Sequence, residues 1–227
     1  MSAGSGLFSN QAAQIPHLVP TGGGGVAGEV GDLRADVSRT LSPMAAITVE
    51  EFTNPVAGGA AVLKAATATT VSPATVLEAA LLAPGVAILA AQPRNLTFTT
   101  AGATPADAPA TALITGTRSG VAQTETVTLA QTAATATGVK LFSTVTSIVY
   151  AAADGTAATV AIGIGDAMPL TKTPKARAGL TAAVREIAVG VVVTTGTISA
   201  TNKSYTPAAS PDGVKDYCVY FEYDPLV

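Results

Sequence analysis

The side chains best able to do chemistry in this chain are few and scattered. His17 is the single histidine and Cys218 the single cysteine of 227 residues. A triad or a Cys-His pair needs its members held on a rigid frame, yet His17 stands in a stretch that runs into the tetraglycine Gly22, Gly23, Gly24 and Gly25. One His and one Cys are also too few ligands for a zinc site. Asp154-Gly155 and Asp166 raise a calcium loop, but no D-x-[DN]-x-[DN]-G run occurs, and Asp-Gly is accounted for by a hairpin turn. Glu50 and Glu51 are adjacent, so on a strand they point to opposite faces and form no paired acid–base site. Both read as solvated charge. Gly163-Ile164-Gly165 lacks the third glycine and following helix of a dinucleotide cradle, and the tetraglycine has neither a preceding strand nor a following Lys-Ser/Thr. Lys172, Lys175 and Arg177 make the densest positive cluster, read as a solvated loop, with an acidic partner surface as the alternative. The expected catalytic, cofactor and metal sets are empty, and the expectation is a protein that is not an enzyme.

The elements that position these residues are mostly strands. Apolar and polar residues alternate at Leu96, Phe98 and Thr100, at Val127 and Leu129, and at Val160, Ile162 and Ile164, the period of half-buried β-structure. Turn-forming groups separate these runs, with Gly120, Gly138 and Gly155 expected to supply positive φ, and Pro105 and Pro109 to keep their connection out of any ladder. Residues 47–52 and 61–68 also read as strands. Residues 72–82 stay open between a helix capped by Ser72 with Pro73 at its first position and a strand or loop over 76–82. Pro84-Gly85 reads as a break, 180–194 as a long strand, 202–213 as a loop with another strand starting at Thr197. Residues 214–223 read as a last strand whose Tyr217, Val219, Phe221 and Tyr223 form a core or interface face, with Cys218 a small buried strand residue. Short strands with turn signals between them predict a mainly β chain, an antiparallel β-sandwich of jelly-roll or immunoglobulin-like type over 44–227.

Two further segments precede that domain. Residues 1–30 hold no sustained period and are expected to be an extended N-terminal arm. The arm carries Leu7, Phe8, Ile15, Leu18 and Val19, apolar residues that a solvated linker avoids, so these are expected to bind a partner subunit. Residues 31–43 are expected to form one short helix ended by Pro43, with Leu33, Val37 and Leu41 on one face. A stripe on so short a helix needs a neighbour, which makes self-association through it an expectation.

Composition narrows the class. Hydrophobic residues make up 48% of the chain, enough for a core, while the charged fraction is 12%, about half the usual ~25%. So little charge implies outer faces that are Thr-rich or covered by partners. The net charge of −3 brings no basic stripe for nucleic acid. The apolar run 79–91 is too short and too broken to span a membrane, and the start has neither the basic nor the apolar region of a secretory signal.

The run PRNLTFTT (93–100), the later ITGTRSG and ETVTL, and GVKLFSTVTSI (138–148) resemble a pattern of tailed-bacteriophage virion proteins. The closing SYTPAASPDGVKDYCVYFEY is similar to the last loop and strand of such proteins, and the resemblance covers somewhat over half the chain. Arg118 departs from it, standing where Asp or Asn is more usual in the hairpin. The resemblance implies a virion location, synthesis in a bacterial host cytoplasm, and a capsid decoration or cement role with the major capsid protein or other virion proteins as partners. A homo-oligomer, a trimer by analogy with proteins at local three-fold points, is expected. The alternatives are a head fibre or spike base, a neck, collar, tail or baseplate component, or a carbohydrate-binding adhesive module.

Overall fold

The computed structural model describes residues 46–104, 106–153, 158–175, 183–187 and 196–223, the segment 183–187 by its backbone. The expected arm and short helix, with their eight singled-out residues, His17 and the tetraglycine, lie outside the described residues, as do Asp154-Gly155 and Arg177. The described part is mainly β with antiparallel sheets throughout.

The strands are β1 (Ala46–Phe52), β2 (Gly59–Ala68), β3 (Ala74–Leu77), β4 (Leu96–Ala101), β5 (Thr111–Arg118), β6 (Val121–Thr128), β7 (Ala134–Thr137), β8 (Thr144–Tyr150), β9 (Thr159–Ile164), β10 (Met168–Pro169), β11 (Ala183–Ile187), β12 (Thr197–Ser199), β13 (Ser204–Thr206) and β14 (Asp216–Tyr223). Two four-stranded sheets, β2-β9-β4-β7 and β3-β8-β5-β6, enclose the larger core. Phe98 and Leu96 of β4 and Val160, Ile162 and Ile164 of β9 meet Ile114 of β5 and Ile148 of β8, and Phe98 sets its ring edge-on to Tyr150 at 6.3 Å. Those of β4 and β9 are the alternating positions legible in the sequence. Their burial is the main stabilising term, at roughly 25 cal/mol per Å² of apolar surface.

The segment before β4 departs from expectation. Residues 74–77 pair with β8, a single 3₁₀ turn follows at Glu78–Ala80, and the helix, α1, is Ala83–Ala91. Pro84 stands in its first turn instead of breaking it, because proline in a first helical turn lacks only an N–H that has no partner in any case, and its φ is already helical. Gly85 lets α1 lie close on β2: a Cβ there would meet the Val62 carbonyl oxygen at 2.6 Å and the Leu63 Cα at 2.9 Å. Pro73 and Ser72 start no helix, since Ala74 to Leu77 find a ladder partner in β8.

A second, smaller core lies under two three-stranded sheets, β1-β14-β11 and β10-β13-β12. Phe52, Met168, Leu170, Tyr205, Tyr217, Val219 and Phe221 are buried in it, and Tyr205 stacks on Phe52 with ring centres 6.4 Å apart. The expected aromatic face of the last strand is therefore core, but of this second cluster and not of the sandwich. Cys218 is buried and forms no disulfide within the chain. The span 202–213 is not all loop: β13 lies inside it and pairs with both β10 and β12.

The β5–β6 hairpin turns through Ser119 and Gly120 at φ 51° and 82°, both positive as a two-residue type I′ connection demands. Gly138 is needed for a different reason than the expected turn: it is not left-handed, and a Cβ there would stand 2.8 Å from the Glu125 Oε2.

Candidate interaction surfaces

Three local arrangements draw on the residues weighed for chemistry. The first is a buried polar joint. Arg94 is fully buried. Its Nε donates to the Gly165 carbonyl at 3.0 Å, its Nη1 to Gln92 Oε1 at 3.2 Å, and its Nη2 lies 3.7 Å from Asp166 Oδ1. Burial pushes the Arg94 guanidinium down from its ordinary value, and Asp166 opposes that shift. Asn95 donates to the Gly138 carbonyl at 2.9 Å and accepts the Ala167 N–H at 3.0 Å. Asp166 also accepts the Gly58 N–H at 3.3 Å and the Ser210 hydroxyl at 2.5 Å. Glu125 accepts the backbone N–H groups of Val139 at 2.6 Å and Lys140 at 3.2 Å. Arg94, Asn95, Glu125 and Gly138, the polar and glycine landmarks of the motifs singled out in the sequence, thus tie strand ends together. Asp166 belongs to this joint. Among the described residues no three His, Cys, Asp or Glu side chains are grouped so as to hold a metal.

The second arrangement surrounds Arg118, which reaches from the β5–β6 hairpin to the β12–β13 turn. Its Nη1 donates to the Asn202 carbonyl at 2.5 Å and its Nη2 to the Lys203 carbonyl at 2.8 Å. Burial lowers its pKa from the ordinary arginine value. The residue that breaks the hairpin pattern is thereby a tie between the sandwich and the second core. A cleft of about 490 Å³ opens beside it, lined by Val121, Gln123, Leu170 and Lys203 among others. Neither Glu50 nor Lys172 is simply solvated: Glu50 accepts the Thr171 N–H at 3.0 Å and its hydroxyl, and Lys172 sits 5.7 Å over the Tyr223 ring. Glu51 is exposed, as read.

The third is the outer face of the sheet β3-β8-β5-β6. With Ala112, Ile114 and Gly116 turned inward, β5 presents Thr111, Leu113, Thr115 and Thr117 outward. The register sets Thr128, Thr126 and Thr124 of β6 beside the first three of these, and Val149 and Ser147 of β8 beside Leu113 and Thr115. Thr75 and Leu77 of β3 continue the rows. A register irregularity after Thr115 adds Thr146, whose hydroxyl donates to the Thr115 carbonyl at 3.0 Å. None of these outward positions bears a charge, and Leu77 and Leu113 stand 59% and 41% exposed among them. The sequence carried a signal for this face, uncharged residues at every second position, Thr126 and Thr128 in ETVTL and Thr111, Leu113, Thr115 and Thr117 in TALITGT, but which strands lie side by side is decided by the register alone.

Among the described residues no helix is long and apolar enough to cross a membrane. No family model matches the chain, and no curated protein and no solved structure matches it.

Proposed function

We propose that this chain is a non-enzymatic structural protein of a bacteriophage virion, a capsid decoration or cement protein that attaches to neighbouring shell subunits through buried area. The observation that carries the reading is the uncharged outer face of β3-β8-β5-β6. Charge keeps a free surface hydrated, and a face without it loses little on being covered. Threonine suits such a face: it is β-branched and favours strand structure, and its hydroxyl both donates and accepts toward a partner or a bridging water. Four strands of up to eight residues span on the order of 500 Å² at strand spacings of ~4.8 Å and rises of ~3.3 Å. Doubled over two partners, that is near the lower limit of about 1,000 Å² for a specific interface. One face therefore gives a modest contact, and firm attachment comes from adding the expected arm with Leu7, Phe8, Ile15, Leu18 and Val19, and from many copies acting together. The resemblance of the 93–148 motifs to tailed-phage virion proteins supplies the virion setting.

The test is co-sedimentation of the purified chain with particles that lack it, followed by localisation in cryo-electron density. Leu113→Lys places a charge at the centre of the face on an exposed side chain, so folding is retained while occupancy of the shell falls at least about tenfold. Full occupancy by the variant, or copies found away from the shell exterior, refutes the decoration reading.

A further inference from the structure

We infer that the two clefts sharing Arg118 form one docking groove for an extended, acidic peptide segment of a partner protein, with Arg118 and Lys203 receiving its carboxylate. The larger cleft, about 490 Å³, and a smaller one of about 190 Å³ have Arg118, Gln123 and Lys203 in common. Lys140 brings a third cation to the smaller one. The chain holds 15 Asp and Glu against 12 Lys and Arg, and solvated surfaces ordinarily intersperse the two signs. Here three cations gather, and among the described residues none of them is paired with a carboxylate. Glu50 approaches the larger cleft at Thr171, where it accepts that residue's N–H and hydroxyl, and it makes no ion pair with Arg118 or Lys203.

The cations are held in place by neutral groups. Arg118 has five N–H donors, of which the carbonyls of Asn202 at 2.5 Å, Lys203 at 2.8 Å and Leu170 at 3.5 Å engage Nη1 and Nη2. Carbonyls fix the guanidinium without neutralising it, and N–H groups remain for a carboxylate, the planar acceptor its fork suits. Burial lowers the Arg118 pKa with no carboxylate opposing the shift, as Asp166 does for Arg94. Lys203 stands in the β12–β13 turn at φ 47°, and its carbonyl also accepts the Leu170 N–H at 2.8 Å. Its backbone is thus pinned and its ammonium group left for a ligand. The walls decide between anions. Val121, 70% exposed, with Pro93, Pro169 and Leu170 gives the larger cleft an apolar flank, which suits aliphatic residues beside the acid. Single-stranded nucleic acid calls instead for aromatic platforms on which bases stack, and the described lining residues include none. Charges at such a rim select the partner and speed its approach more than they tighten the contact.

The test is fluorescence anisotropy of two pools of short dye-labelled peptides titrated with the full chain. In one pool two glutamates stand among Leu, Val and Pro; in the other, glutamine replaces each glutamate. The acidic pool is expected to bind at least about tenfold more tightly than the neutral one, and to lose affinity as salt rises from about 0.05 M to about 0.5 M. Lys203→Glu reverses the charge of an exposed side chain whose backbone makes the bonds of the turn. It is expected to abolish the preference for the acidic pool with the far-ultraviolet circular dichroism unchanged. Lys215→Glu, at a cation that lines neither cleft, is expected to keep that preference. Equal binding of the two pools, or binding of neither, overturns the inference, as does a preference that survives Lys203→Glu or is lost as fully in Lys215→Glu. Tighter binding of a dye-labelled oligothymidylate than of the acidic pool overturns the peptide in favour of nucleic acid. No particle enters the assay, so none of these outcomes bears on the shell-attachment reading.

Discussion

Replacing Arg94 by methionine tests whether the buried polar joint holds the fold together. Methionine follows the path of the arginine stem and fills irregular space, so the loss is mainly polar. Two donated hydrogen bonds go, to the Gly165 carbonyl and to Gln92 Oε1, each worth about 1.5–3 kcal/mol for a charged donor before the gain from no longer burying the charge. The ion pair with Asp166 goes as well, but Asp166 keeps the Gly58 N–H and the Ser210 hydroxyl and is 25% exposed. The ~3–5 kcal/mol for breaking a fully buried pair therefore overstates the effect. Together these give a loss of about 2–4 kcal/mol. For a unit the size of Ala46–Tyr223, about 2–4 °C per kcal/mol translates this into a melting point lowered by roughly 4–16 °C. Urea unfolding followed by circular dichroism reads the loss, and a double-mutant cycle with Asp166→Asn isolates the pair, with a coupling of about 1 kcal/mol expected. A loss below about 1 kcal/mol, or additive single variants, would refute the joint as a stabilising unit.

Two further outcomes concern the cores. Phe221→Ala, at a position 5% exposed in the second core, is expected to lower stability by about 3–5 kcal/mol; a near-neutral shift in the urea midpoint would move that ring out of the core. Tyr150 is buried, and burial pushes its phenol above the ordinary tyrosine value. Its folded pKa is raised, so its contribution is intact below the unfolded value near 10 and lost as pH climbs toward the folded one, at about 1.4 kcal/mol per pH unit. Urea midpoints compared from about pH 8 to about pH 11 should fall more steeply for the wild type than for Tyr150→Phe; parallel curves would exclude Tyr150 as the source.

The sequence by itself determined the class. The period of two at Leu96, Phe98 and Thr100 and at Val160, Ile162 and Ile164 is a local property, because successive strand residues face opposite sides whatever the partner strand. The Ser119-Gly120 turn was likewise legible from chain-local chemistry. What the alternation left open is which core an inward face serves. Phe221 and Tyr217 read as core or interface residues, and only pairing of β14 between β1 and β11 assigns them to a second cluster apart from the sandwich. The same holds at Pro84, whose effect on a helix depends on whether the chain starts or continues there, a choice made when Ala74 to Leu77 pair with β8. Arg94, Asn95, Glu125 and Asp166 stood in the sequence as separated polar letters. Their roles exist only where strand ends from distant parts of the chain converge, since a buried charge or amide is tolerated where partners meet it. The two candidate surfaces are tertiary as well. Alternating threonines become a continuous uncharged face only once β5, β6 and β8 lie side by side, and Arg118 and Lys203 share a groove only once the β5–β6 hairpin meets the β12–β13 turn.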